Sequence, residues 1–484
     1  MENKEKSLKK NFCILTMSQF IFPLITFPYV SRILLAEGTG KVSFATSIIS
    51  YFAMFAQLGI PTYGIRACAQ VRNDKKKLSK TAQEIFIINI IMSILAYIVF
   101  FIALCNVPRL KDEKTLLIIV SATIFFNAIG MEWLYKALEQ YTYITIRSVI
   151  FKFIALIAMF LLIHQQSDYI IYGAISIFAS SASNIFNFFN VHKYISLRPV
   201  GEYNFKQHLK AVSVFFALSC AATIYVNLDT VMLGFMKTNV DVGYYNAAVK
   251  IKTILVSIVT SLGTVLLPRA SYYVEHGLKE DFYRITKKAI NFMFLVATPL
   301  MLYFMFFAKE GIFFLSGNTY GGAIVPMQII MPTLFFIGLT NIMGMQILVP
   351  LGKENIVLYS EIVGAVVDLA INYILIPKYA SAGAAIGTLV AEIAVWIVQY
   401  IYLRKQIKDA YKNVRYGILI LALFLGSIAS LWVKKVFSGS FIVLLNSAIL
   451  FFGVYFIVLT IAKEPLIYQI EEGLLTKLKK KGKK

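Results

Sequence analysis

Apolar residues in this chain come in long unbroken runs, not at the spacing of a soluble core. Residues 85–103, 150–163 and 441–462 are three such runs. A helix needs about 20 mostly apolar residues to cross a bilayer. A strand-built barrel would show alternation in segments of about 10 residues instead. The runs therefore predict helices, which satisfy their own backbone hydrogen bonds inside hydrocarbon. The pattern predicts about fourteen of them, near 11–34, 42–63, 83–105, 115–135, 146–163, 169–190, 209–233, 244–267, 287–308, 325–349, 355–376, 382–403, 415–433 and 440–462. The longest connections, near 64–82, 191–208 and 268–286, are too short for a folded domain. The expected class is an all-α polytopic membrane protein.

Composition agrees. Of the 484 residues 58% are hydrophobic and 15% charged, and the mean hydropathy is +0.72. A soluble chain carries about 25% charged residues. The net charge of +22 is distributed by topology. Of the 47 lysines and arginines, 34 fall on the side of both termini, 10 on the other side, and Lys152, Lys250 and Lys252 inside spans. That bias predicts cytoplasmic termini and an even number of spans. Basic residues divided among separate loops do not suggest nucleic-acid binding. Lys4, Lys6, Lys9 and Lys10 precede the first run as in a signal peptide, but no small-residue cleavage site follows. A retained first helix is expected, bent at Pro23 and Pro28. The tail lysines Lys477, Lys479, Lys480, Lys481, Lys483 and Lys484 either rest on anionic lipid or form a solvated run. Cys13, Cys68, Cys105 and Cys220 are isolated, and the four histidines stand singly in expected loops, so neither a metal nor a cofactor is expected.

Six spans precede the 191–208 connection and six follow it before 403. An even number per half gives both halves the same orientation. Gly40-Lys-Val-Ser-Phe-Ala45 and Gly243-Tyr-Tyr-Asn-Ala-Ala248 open corresponding helices. The expected organisation is a six-helix lobe over 1–200, a second over 201–405, and two further helices with a basic tail over 406–484. Duplicated halves favour a transporter over an enzyme. Gly38-Thr-Gly-Lys41 lacks the spacing and the Ser/Thr of a nucleotide loop and reads as a turn. Gly383-Ala-Ala-Ile-Gly387 permits close helix approach, and Trp133, Trp396 and Trp432 read as interface anchors or packing.

Charges at membrane depth are costly, at least about 2.5–3.5 kcal/mol each, and call for a partner or a wet cavity. Glu361, Asp368 and Asn372 share one helix face at spacings of seven and four. Lys250 and Lys252 diverge by about 200° on their helix, so one of them faces inward. Asp229, Glu392 and Lys152 complete the set, while Arg32 and Arg66 sit at span ends where snorkelling is expected. Singly, each fits a structural ion pair as well as a transport role; together they predict a polar cavity.

Several stretches resemble one family. They are Phe27-Pro-Tyr-Val-Ser-Arg-Ile-Leu34 with Glu37-Gly-Thr-Gly40, Gly130-Met-Glu-Trp-Leu-Tyr135 with Tyr143-Ile-Thr-Ile-Arg147, Asp229-Thr-Val-Met-Leu-Gly234, Gly243-Tyr-Tyr-Asn-Ala-Ala248 with Lys250, and Ile376-Pro-Lys-Tyr379 with Gly383-Ala-Ala385. In order and spacing they resemble bacterial polysaccharide repeat-unit flippases of the Wzx type, within the multidrug/oligosaccharidyl-lipid/polysaccharide exporter superfamily. The resemblance implies two six-helix lobes in a V, alternating access, and a plasma-membrane location. It implies an oligosaccharide on undecaprenyl diphosphate as substrate, carried for surface polymers such as O-antigen or capsule. Membrane lipids and the glycosyltransferases and polymerase of that pathway are the implied partners. A diphosphate wants cations, and Arg32, Arg66, Lys152 and Lys250 are the implied substrate-binding set. Asp229, Glu361, Asp368 and Glu392 either couple H⁺ or Na⁺ or hold the basic residues in place. Rival readings are a multidrug cation antiporter, which would favour acidic sites, and a lipid II flippase, which also uses fourteen helices. A polysaccharide polymerase would need a large outer loop, and the longest, 309–324, is short.

Overall fold

The computed structural model describes residues 2–412 and 414–468, with the backbone alone for 2–21 and 262–265. The tail lysines from Lys477 onward, and the lipid contact expected of them, lie outside the described residues. Among the described residues the chain is helical throughout, with no strand. The helices are α1 (Glu2–Gln57), α2 (Ile60–Gln70), α3 (Lys75–Asn106), α4 (Pro108–Lys111), α5 (Lys114–Gly130), α6 (Glu132–Ala137), α7 (Tyr141–Leu162), α8 (Tyr169–Ile177), α9 (Asn184–Asn190), α10 (Lys206–Met236), α11 (Asn239–Glu275), α12 (Lys279–Phe306), α13 (Ala308–Ser316), α14 (Ile324–Ile330), α15 (Thr333–Asn341), α16 (Glu354–Lys412), α17 (Tyr416–Leu431), α18 (Val433–Val436) and α19 (Ser440–Ile461).

Ten of the described helices, runs of joined helices included, are long and apolar enough to cross a membrane, and a pair bent by 45°, Asn318–Ile330 with Thr333–Leu348, makes an eleventh. The chain is a multi-pass membrane protein. The rest of the expected fourteen segments fall in three places. Lys114–Gly130 is apolar but short, and α1 and α16 each hold two. At 56 and 59 residues, these two helices would extend far beyond a hydrocarbon core of about 30 Å at 1.5 Å per residue. Each is broken by one residue with non-helical backbone, Leu35 in α1 (φ 57°) and Ala380 in α16 (φ 49°). The bend expected at Pro23 and Pro28 is thus a sharp break seven residues after Pro28. Helices also outrun the apolar pattern. The connection expected over 64–82 shrinks to 71–74, and that over 268–286 to 276–278, because polar residues continue the helices beyond the apolar runs. Asp74 caps α3, accepting from the Lys76 and Lys77 backbone amides at 3.0 and 3.1 Å. Those amides, Lys77 first, hold its carboxyl below the usual range.

The faces are inverted relative to a soluble protein. On α3 the residues Ile91, Ile94, Leu95, Ile98, Val99 and Ile102 form an exposed apolar stripe, while Glu84, Asn89 and Ser93 are buried. An apolar stripe of this kind is suited to lipid, leaving polar groups to pair inside.

The chain divides into two compact units, Met1–Asn246 and Ala247–Lys484. In the first, the glycines that open the repeated motifs meet. A side chain at Gly40 would strike the backbone of Asn239 and Gly243, and one at Gly243 would strike the backbone of Ala36. Only a hydrogen in place of Cβ allows two helix starts to cross so closely. In the second unit, Phe294 packs edge-on against Phe335, Tyr411 and Tyr416. Tyr455 donates to the Leu295 carbonyl at 2.9 Å and Tyr303 to that of Leu444 at 2.7 Å, fastening α19 to α12. The two arms of α16 fold on each other at the expected small-residue motif. A Cβ at Gly383 would press on the Leu375 backbone, and one at Gly387 would overlap the Asn372 amide and come within 2.9 Å of Asp368 Oδ1. Gly387→Val should therefore cost about 1–3 kcal/mol through overpacking, read as a lower melting temperature in detergent and less protein in the membrane. An unchanged melting temperature would mean that the two arms do not hold each other.

Candidate functional site

Three helices of the first unit present polar residues at helical spacing toward one another. On α1 these are Thr46, Ser50 and Gln57, on α5 Thr123 and Asn127, and on α10 Ser219, Thr223 and Asn227. With Ala53, Met54 and Val226 they line a cavity of about 540 Å³ that carries no charged side chain. A second cavity of about 160 Å³ shares Gln57, Pro61 and Asn127 with it and adds Asn89, Asn184, Glu132, Trp133 and Lys136.

Two helices break at this place. Leu58 (φ 46°) and Gly59 (φ 70°) separate α1 from α2, and Met131 (φ 42°) separates α5 from α6. Gly59 is required twice over, by its left-handed backbone and because a Cβ there would run into the Phe215 backbone. Non-helical backbone within the membrane is tolerated where it is buried in protein or lines a cavity. Buried amides receive the carbonyls near both breaks. Asn89 Nδ2 donates to Ala56 O at 2.9 Å and Asn187 Nδ2 to Gly130 O at 2.8 Å. Asn184 Nδ2 donates to Asn127 Oδ1 at 3.3 Å.

The smaller cavity ends on a charged group. Glu132 lies 2.8 Å from Lys136 Nζ and 3.3 Å from Arg147 Nη2. Two cations against one carboxylate leave a net positive charge. Arg147 is only 7% exposed, and its Nε and Nη1 have no hydrogen-bond partner among the described residues. Trp133 Nε1 is in the same condition, its indole pressed on Gly64, where a Cβ would lie 2.7 Å from the ring.

Beside this tract is a buried polar network. Tyr63 Oη lies 2.6 Å from His208 Nδ1, and His208 Nε2 lies 2.8 Å from Glu84 Oε2. His208, expected in a loop, is buried on α10. In the second unit Asp368 accepts from Asn372 Nδ2 at 3.1 Å, and Gln399 Nε2 donates to Ser360 Oγ at 3.0 Å.

The sequence-derived residues are placed as follows. Arg32 is exposed on α1 with Nη1 donating to Pro28 O at 2.5 Å. Arg66 is exposed on α2, Lys152 half-buried on α7, and Lys250 exposed on α11 in the second unit. None of the four lines either cavity. Asp229 is buried and accepts from the Tyr245 hydroxyl. Asp368 and Glu392 are buried and Glu361 is half-buried, all on α16. The cavity residues escaped sequence reasoning because it weighed charges at depth and passed over neutral amides and hydroxyls. The signal available was their recurrence three, four or seven apart on otherwise apolar helices.

Known proteins place the chain. Residues 8–274, more than half of it, match the family described as polysaccharide biosynthesis protein. A protein of Escherichia coli (strain K12) named "Putative O-antigen transporter" is 23% identical over 410 residues, covering 84% of this chain and 98% of that protein. The fold is similar to that of the lipid II flippase MurJ in an inward closed conformation, with a TM-score of 0.69 and 16% identity over 92% of this chain and 99% of that one. It is also similar to that of an inward-facing multidrug resistance MATE transporter, with a TM-score of 0.66 and 14% identity over 84% of this chain and 99% of that one. The matching residues run through both helix breaks and every residue lining the two cavities, and on that match the chain belongs to the polysaccharide biosynthesis protein family.

Proposed function

We propose that this protein flips oligosaccharide repeat units linked to undecaprenyl diphosphate from the cytoplasmic to the outer leaflet of the plasma membrane, by alternating access of two like-oriented lobes. The observation that carries the reading is the cavity tract itself, a chamber of amides and hydroxyls with no charge in its larger part, the Glu132–Lys136 pair lining its smaller part, and Arg147 buried behind that carboxylate. Amides and hydroxyls suit the donors and acceptors of a glycan. Cations suit a diphosphate. The exposed apolar faces let a polyprenyl tail stay in lipid while the headgroup crosses. An anion moving outward gains about 2.3 kcal/mol per charge per 100 mV. The family and the named O-antigen relative support the substrate class.

In this reading both termini are cytoplasmic, the lobes span 1–200 and 201–405, and 406–484 is appended to them. Arg32, Arg66, Lys152 and Lys250 supply further positive potential along the route, and Asp229, Glu361, Asp368 and Glu392 either couple H⁺ or Na⁺ or are structural. The larger cavity has no carboxylate for a cationic drug, which argues against the antiporter reading. The test is transport in proteoliposomes of a lipid-linked oligosaccharide, of lipid II and of a fluorescent cation. Preference for the first supports the proposal, and transport of either of the others in its place defeats it. In a flippase-dependent strain, Lys250→Glu should abolish surface polymer without lowering protein abundance; normal polymer would remove Lys250 from the route.

A further inference from the structure

We propose that the second unit carries a separate site for the phosphate headgroup of an anionic membrane lipid, independent of whatever the protein transports. The first turns of α12, the last turns of α16 and the segment after α19 enclose a cleft of about 620 Å³. Arg284, Lys287, Lys288 and Lys405 line it, against Glu280 and Asp409. Arg284 pairs with Asp281, and Asp409 lies 3.9 Å from Lys412. Lys287 and Lys405 have no ion-pair or hydrogen-bond partner among the described residues, although they lie on two different helices and line the same hollow.

The floor is built and already satisfied. Asn291, buried, donates to Glu464 Oε1 at 2.7 Å, and Glu464 Oε2 accepts from the Leu466 and Ile467 backbone amides at 2.8 and 3.0 Å. This fixes the segment after α19 as one wall and leaves the lysines to face the hollow. Pro465 and Leu466 give that wall an apolar part, and Ala410 adds to it from α16. The cleft lies where membrane-length helices α12 and α16 leave their apolar stretches. A concave group of cations at that border, with apolar surface beside it, fits the phosphodiester and upper acyl chain of a lipid. A soluble phosphate offers the same charge without the apolar part, so the two sources can be separated.

The experiment titrates the purified full-length chain in detergent with phosphatidylglycerol, phosphatidylcholine or inorganic diphosphate while following its melting temperature. Phosphatidylglycerol should raise the melting temperature more than phosphatidylcholine does. In Lys287→Gln/Lys405→Gln its apparent affinity should drop about tenfold or more, with the lipid-free melting temperature unchanged. The tail variant Lys479→Gln/Lys480→Gln/Lys481→Gln should keep the wild-type response. Equal stabilisation by phosphatidylcholine, an undiminished response in the double variant, or loss of the response in the tail variant alone would each overturn the proposal. Stabilisation by diphosphate equal to that by lipid would overturn the lipid as its source.

Discussion

Glu84→Ala should lower the melting temperature of the purified protein and its abundance in the membrane. The Glu84 side chain is fully buried. Its Oε1 accepts from the Asn204 backbone amide at 2.7 Å, and its Oε2 accepts from Gln207 Nε2 at 2.9 Å and is 2.8 Å from His208 Nε2. With the proton on Nε2, a neutral His208 donates to Glu84 and accepts from the Tyr63 hydroxyl on Nδ1, so every member of the chain is satisfied. Alanine would orphan the buried His208 Nε2 donor, at about 1–3 kcal/mol for a buried group left unpaired, while the Asn204 amide and Gln207 Nε2 belong to exposed residues that water can reach. A loss of about 1–3 kcal/mol is therefore expected. Glu84→Gln keeps one acceptor oxygen in place and should cost less. Near-equal melting of Glu84→Gln and Glu84→Ala would mean that the retained acceptor oxygen does not hold the network. The network also holds the connection between α9 and α10. Gln83 Nε2 donates to the Ser196 and Arg198 carbonyls at 2.6 and 2.9 Å, and Ser79 Oγ accepts from Ser196 N at 2.9 Å. Proteolysis within 196–204 should be faster in Glu84→Ala.

The spans were legible in the sequence because hydrophobicity alone decides whether a segment enters a bilayer, and the runs carry that information locally. The helix ends were less so, since a helix continues past the hydrocarbon at no cost when polar side chains reach water, as at Lys75 and Glu275. Of the two breaks at the cavity, Leu58-Gly59-Ile60-Pro61 holds glycine and proline as punctuation. The break at Met131 has Gly130 beside it, but the left-handed residue is the methionine, and Gly130 is needed for the close approach of Asn184. The Gly40 and Gly243 pairing was visible as a repeat, and the structure supplies its cause in the backbone crossing. Reading charge as the mark of function led to Arg32, Arg66, Lys152 and Lys250. The tract is built mainly from neutral side chains on α1, α5 and α10, and no local pattern connects residue 57 to residue 223. Arg147 and Glu132 were noticed as motif members and not as a site, because their pairing is set by the fold of α6 against α7.

Gln57→Leu combined with Thr123→Val should leave the protein as stable as wild type and reduce transport of a lipid-linked oligosaccharide by about tenfold or more. Both residues line the larger cavity. Neither makes a hydrogen bond to another described residue, and Thr123 Oγ1 is buried without a partner. A polar group held inside a membrane protein with no internal partner contributes little to the fold, and replacing it with an apolar group of similar shape is near neutral or stabilising. Its value must lie in what enters the cavity. If glycan hydroxyls pair there, each lost partner leaves a donor or acceptor unmet on the substrate, at about 1–3 kcal/mol, and two such losses exceed the 1.4 kcal/mol that corresponds to a factor of ten. The melting temperature separates this from misfolding, and the decisive comparison is between substrates. A headgroup with more sugars meets more of the wall and should lose more transport than a short one. Wild-type rates for both headgroups in a stable double variant would place the route outside this cavity, since a wall that pairs with the passing glycan cannot be made apolar without slowing it.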